Sequence, residues 1–271
     1  MRCVSMGRSS PANRRQACRW RSVISCSNGS ARAQIMTTND YSLNPAQLLA
    51  TLQMTDSLFP IGAFTHSAGL ETYTQQGIVQ DTVSLQALLV TRLLHGAARS
   101  DMIAIHSAMA ACQEQDMDEL VGLDERLSAM KFAQETRESS RKIGRQMLRN
   151  SIALFDHPML AAYQHAITTG QCTGHHAIVH GLAFAALHID PQTALLAFAY
   201  GQTAGQISAA LKLISIGQTS AQQLLHRLIP TMQQAVAIAL DSTSEDMQSF
   251  TPALEISAMQ HQYLFRRLFI S

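Results

Sequence analysis

Leu85, Leu88, Leu89 and Leu93 stand at i, i+3, i+4 and i+8, a spacing that commits them to one buried face of a helix. Ile207, Ala210, Leu211 and Ile214 set a second such face further along. Between these stripes Ala, Leu, Gln and Met recur and β-branched runs stay short, which favours helix over strand. The pattern predicts an all-α fold, a single-domain helical bundle of about eight to ten helices. With 271 residues, 46% of them hydrophobic, the chain is long enough to bury a substantial core.

Caps and breakers place the helices. Asn44 and Pro45 open a first one that runs to about Leu58, where Pro60 and Gly62 forbid continuation. A second is predicted from about His66 to Gln76, stopped by Gly77. A long one is predicted over 83–115, capped by Asp81, Thr82 or Ser84, with residues 116–150 helical after it. Further helices are predicted from Pro158 to near Gly170 and over 175–188. The next runs from an Asp190-Pro191 start to about Ser215, with Gly217 closing it. Two more are predicted over 218–240 and 252–268.

The net charge of +1 hides a division. Residues 1–36 hold seven of the twenty basic side chains and no acid, leaving thirteen basic against nineteen acidic residues in 37–271. An acidic body lacks the basic face that nucleic acid requires. The segment 1–36 reads as a disordered basic tail or a mis-assigned start with translation beginning at Met36, and an Arg- and Ser-rich transit peptide is the third alternative. The domain proper is expected over 37–271. No run of 18 apolar residues marks a membrane helix, and a cytoplasmic location is expected.

Catalytic signatures are absent from the sequence. With three lysines, Lys131, Lys142 and Lys212, and no Gly-x-x-x-x-Gly-Lys-Ser/Thr, there is no P-loop. Thr65 stands where a nucleophile elbow around Ser67 would need glycine. No enzymatic activity, resident cofactor or metal site is therefore expected. His175, His176 and His180 lie close enough for two imidazoles to chelate nickel or zinc, but no third ligand neighbours them, so a structural or solvent-facing role is expected. Glu135, Arg137, Glu138 and Arg141 read as a solvated face with local ion pairs. Gly201, Gly205 and Ala209, at every fourth position beside Tyr200, would let a second helix approach closely, either within the monomer or across a dimer.

The most distinctive stretch is Asp56-Ser57-Leu58-Phe59-Pro60-Ile61-Gly62-Ala63-Phe64-Thr65-His66-Ser67-Ala68-Gly69-Leu70-Glu71. It resembles the UreF family of urease accessory proteins, whose pattern is Asp-Ser-x-x-Pro-x-Gly-x-Phe-x-x-Ser-x-Gly-Leu-Glu. Three further regions resemble the same family: 135–146, 209–219 and the ending Tyr263-Leu264-Phe265-Arg266-Arg267-Leu268-Phe269-Ile270-Ser271. The chain departs from common family choices at Gln262, Lys212 and Arg266.

The resemblance implies an all-α homodimer without catalytic activity. It would bridge UreD (also called UreH) and the GTPase UreG while nickel is delivered to urease apoprotein, the metal being cargo of the complex. Carried over position by position, it implies partner contacts at Phe64, His66, Glu71, Tyr73, Lys212 and Arg267, and it favours a dimer interface at Tyr200, Gly201 and Gly205. Two alternatives stay open: a nickel metallochaperone using His175, His176 and His180, and a regulator that offers Arg137, Arg267 or Lys212 to the GTPase. The apolar stripe Leu254, Ala258, His261, Phe265 and Leu268 is expected to dock a C-terminal helix and leave Arg267 free.

Overall fold

The computed structural model describes residues 44–63 and 66–270. Phe64 and the segment 1–36 lie outside the described residues. Twelve α-helical segments follow one another with no strand among the described residues: α1 (Pro45–Thr55), α2 (Leu70–Gln75), α3 (Thr82–Thr91), α4 (Asp101–Glu114), α5 (Met117–Met130), α6 (Gln134–Leu154), α7 (Pro158–Thr168), α8 (His176–Ala186), α9 (Pro191–Leu213), α10 (Gln218–Arg227), α11 (Ile229–Leu240) and α12 (Pro252–His261). They form a single helical domain, as the sequence predicts. Among the described residues no helix is long and apolar enough to cross a membrane.

Caps explain the starts. The Asn44 and Asp81 side chains accept from the backbone of α1 and α3, and Asp190 accepts from Thr193 N at 2.9 Å to begin α9. The core is centred on α8, whose residues from His176 to Ala185 are all buried. A helix buried all round must be apolar all round, and small residues let its neighbours approach. At Gly181 an added Cβ would stand 2.7 Å from Ile105 O of α4, and at Gly144 of α6 it would stand 2.7 Å from His176 N. These two glycines set how near α4 and α6 come to the central helix.

Several boundaries differ from expectation. α2 begins at Leu70 and not at His66, because Ala68 (φ 49°) and Gly69 (φ 84°) turn left-handed just before it. The helix predicted over 83–115 is divided into α3 and α4 by a π turn, Arg92–Gly96, and a 3-10 turn, Ala97–Arg99. The charged stretch is two helices, α5 and α6, separated at 131–133. Gly217 starts α10 rather than closing α9. The last helix ends at His261, so Phe265 and Leu268 do not continue the stripe of Leu254, Ala258 and His261; both face outward.

Candidate partner-binding site

The signature stretch, the start of α6 and the C-terminal segment meet at one buried carboxylate. Glu71, only 2% exposed on the first turn of α2, accepts from Leu268 N at 2.7 Å and from Phe269 N at 3.2 Å. Its Oε2 also lies 3.0 Å from His261 Nε2. The other ring nitrogen, Nδ1, lies 2.8 Å from Glu135 Oε2. A buried carboxylate needs such donors, because water is no longer there to supply them. One side chain of α2 thus fixes α12 and the backbone of the segment after it, and through His261 reaches α6.

Neighbouring contacts tighten this clamp. Ser257 Oγ donates to Gly69 O at 2.7 Å, and an added Cβ on Gly69 would meet Ser257 Oγ at 2.9 Å and Ala258 N at 3.0 Å. The turn before α2 therefore requires glycine both for its positive φ and for the approach of α12. Gln75 Nε2 donates to Arg266 O at 2.9 Å, and Lys212 Nζ sits over the Phe269 ring at 5.5 Å. Glu255 Oε2 accepts from Ala133 N at 2.8 Å, tying α12 to the start of α6.

The π turn carries Arg92 toward the same region, where it donates to Ala68 O. Its Nε is buried without a partner among the described residues. Burial pushes the Arg92 guanidinium down to about 10, opposed by Tyr73 and Glu255. Burial also lowers His66, with the nearby Lys142 charge adding to it, and raises Tyr73.

The residues expected at partner contacts are thus unlike in their placement. Glu71 and Tyr73 are buried, and Glu71 works inside the molecule. His66 lines a cleft with Lys142, Lys212 packs on Phe269, and the Arg267 side chain is half-exposed, 3.9 Å from Glu135. Tyr200 is 48% exposed, and added Cβ atoms on Gly201 and Gly205 would meet nothing within 4 Å. Ala209, by contrast, is buried within the domain.

One reading of charged groups changes and another narrows. Glu135, Arg137 and Arg141 are not simply a solvated face: Glu135 holds His261, Arg137 Nη1 donates to Lys131 O, and Arg141 Nη2 donates to Ser128 Oγ. Of the two roles expected for His175, His176 and His180 the structure has the structural one: all three are buried. His175 ring nitrogens lie 2.9 Å from Ser128 Oγ and 3.0 Å from Ser140 Oγ, and His180 Nε2 lies 3.0 Å from Ala194 O. Burial pushes His176 down to about 4 and His180 to about 3. Among the described residues no three His, Cys, Asp or Glu side chains converge as a metal site would need.

Outward from the clamp large apolar side chains face solvent among Gln262, Arg266 and Arg267. Tyr263 is 81% and Phe265 97% exposed, with Ile256, Met259, Leu268 and Ile270 also open to solvent. Backbone groups of 266–269 turn inward to Gln75 and Glu71, and the Phe269 ring is buried, while the Tyr263, Phe265, Leu268 and Ile270 side chains are open to solvent. Sequence reasoning missed Glu135 and Ser257 as parts of this clamp. Neither carries a local signal, since each finds its partner from a distant stretch of chain.

Fold and site together define an all-α, single-domain protein that clamps its own C-terminal segment with a buried carboxylate. Comparison with known proteins is consistent along most of the chain. The UreF family model matches residues 79–229. The urease accessory protein UreF of Actinobacillus pleuropneumoniae is 35% identical over 225 residues, 83% of this chain and 99% of that protein. That of Haemophilus influenzae (strain PittEE) is 37% identical over 222 residues, 82% of this chain and 94% of its own. That of Bacillus sp. (strain TB-90) is 32% identical over 225 residues, 83% and 99% respectively. The chain belongs to the UreF family of urease accessory proteins.

Proposed function

We propose that the chain is a non-catalytic scaffold of urease maturation, bridging UreD and the GTPase UreG while nickel passes to urease apoprotein. The observation that supports this most is the C-terminal segment: its backbone is held on Glu71, and Tyr263 and Phe265 stand almost wholly in solvent. Large exposed apolar side chains on a fixed backbone are what a partner surface buries. Arg267 sits beside them and would contribute at the rim. Phe64 remains part of the proposal from the family pattern alone. Catalysis, nucleotide binding and a cofactor of its own have no role in this scheme, which leaves GTP hydrolysis to UreG, and the cytoplasm is its proposed setting.

The same proposal includes a homodimer through α9, where Tyr200, Gly201 and Gly205 leave an open face of small residues beside an aromatic anchor. The test is size-exclusion co-elution with UreD and UreG, with light scattering on the chain alone. Tyr263→Asp with Phe265→Asp should keep the fold and lose the complex, and Tyr200→Asp should give a monomer. Normal assembly by the first variant would show that the segment is not a partner surface.

A further inference from the structure

A second surface opens beside the signature loop and meets the C-terminal segment at Ile270. A cleft of about 600 Å³ lies between that loop and α6. Asn150 Nδ2 of α6 donates to Pro60 O at 3.1 Å, and Pro60, Ile61 and Gly62 form one wall. The floor is apolar, with Ile61, Ile143 and Ile270 contributing. The rim is cationic: Lys142, Arg145 and Arg149 follow one another at i, i+3 and i+7 on α6, all exposed. No acid occurs in α6 after Glu138, and none lines the cleft among the described residues. Arg145 donates through Nε to Thr173 O at 2.9 Å and Arg149 donates to Gln146, and among the described residues no carboxylate pairs with either. Three like charges held together on one helix repel each other, and a complementary anion removes that cost.

We infer that this cleft receives an acidic segment of a partner protein, carboxylates on the cationic rim and an apolar side chain on the isoleucine floor. The chemistry disfavours nucleic acid in two ways. Among the described residues the lining offers no Phe, Tyr or Trp on which a base could stack. Residues 37–271 as a whole also carry an excess of acid, which repels a long polyanion but tolerates a short one. A carboxylate-rich peptide with interspersed apolar residues matches both floor and rim. The inference rests on the scaffold reading only in taking the occupant to be a protein.

The test is fluorescence anisotropy of the full chain with a labelled peptide of alternating glutamate and leucine. The matching lysine–leucine peptide and a single-stranded oligonucleotide of equal charge serve as comparisons. The glutamate peptide should bind at low ionic strength and weaken as salt rises past about 0.1 M, where screening sets in over about 10 Å. Lys142→Glu with Arg149→Glu should lower its affinity about tenfold or more with the melting temperature unchanged. If the reversal disturbs folding, Lys142→Gln with Arg149→Gln decides, and a smaller loss of the same sign is expected. No binding to the unaltered chain, equal binding to the variants, or tighter binding of the oligonucleotide or lysine peptide would each overturn the inference. Because the probe is synthetic, its failure leaves co-elution with UreD and UreG intact. Conversely, loss of that complex in the Tyr263/Phe265 variant leaves the cleft standing.

Discussion

Glu71 differs from an ordinary signature residue in what its carboxylate touches. Two backbone amides and an imidazole converge on it, from parts of the chain almost two hundred residues away. Glu71→Gln keeps the shape but removes the charge that makes these bonds strong, and turns one acceptor into a donor facing donors. Hydrogen bonds to a charged group contribute about 1.5–3 kcal/mol each, so a loss of about 2–4 kcal/mol is expected. The melting temperature should fall by roughly 5–15 °C for a domain of this size. Limited proteolysis should then cut within 262–270 while the rest of the domain resists. An unchanged melt and an intact C-terminus would mean that the clamp contributes little. The sequence made Glu71 visible through the motif but not its role. The role depends on His261 and the backbone of 268–269, and neither local pattern nor spacing says which distant amides will fill a carboxylate.

At the scale of the element, legibility followed the range of the forces involved. Asn44, Asp81 and Asp190 cap helices within three residues of themselves, so those starts were readable. The failures share a different cause. α2 starts late because Gly69 must admit α12. The last helix stops at His261, where the chain goes on to donate its amides of 268 and 269 to Glu71 instead of continuing its own ladder. Both are tertiary decisions. Glycine at a helix crossing is a third, and it can be tested. Gly144→Ala would drive a methyl group into the backbone of Gly174, His175 and His176. Backbone cannot yield as a side-chain tip can, so α6 must move off α8, at a cost of about 3 kcal/mol or more. Gly62→Ala makes a useful contrast. It has φ 77° but, among the described residues, open space around the new methyl, so the left-handed strain of about 1–2 kcal/mol should dominate. Denaturant unfolding of the two variants should rank them in that order, and the reverse order would mean that the α6–α8 crossing is loosely packed.

For the whole molecule, the buried histidines set how stability responds to pH. His175, His176 and His180 sit together at the start of α8, the most enclosed element of the fold. Burial is the first cause of depression in each case; for His180 the neighbouring His176 adds to it, and its bond to Ala194 O opposes it. In the unfolded chain the same side chains would take up protons near their ordinary value of about 6.5. Below about pH 6.5 the unfolded state therefore binds protons that the folded state refuses, and stability must fall as pH falls. The loss begins at the unfolded value and ends only when the folded groups titrate, at about 4 for His176 and about 3 for His180. Each histidine contributes a slope of about 1.4 kcal/mol per pH unit inside its window. Asp101 and Asp124, both held below the usual carboxylate range, lose their own stabilisation at still lower pH, so they do not mask the onset. Chemical denaturation from pH 8 to pH 5 should therefore show a plateau and then a decline that steepens below about 6.5. His180→Gln keeps a donor for Ala194 O and removes one titrating group, so its profile should be shallower by about one histidine's share even if its plateau is lower. A variant profile parallel to that of the unaltered chain would mean that His180 is charged in the folded protein, against everything its surroundings of His176, Phe184 and Phe198 provide.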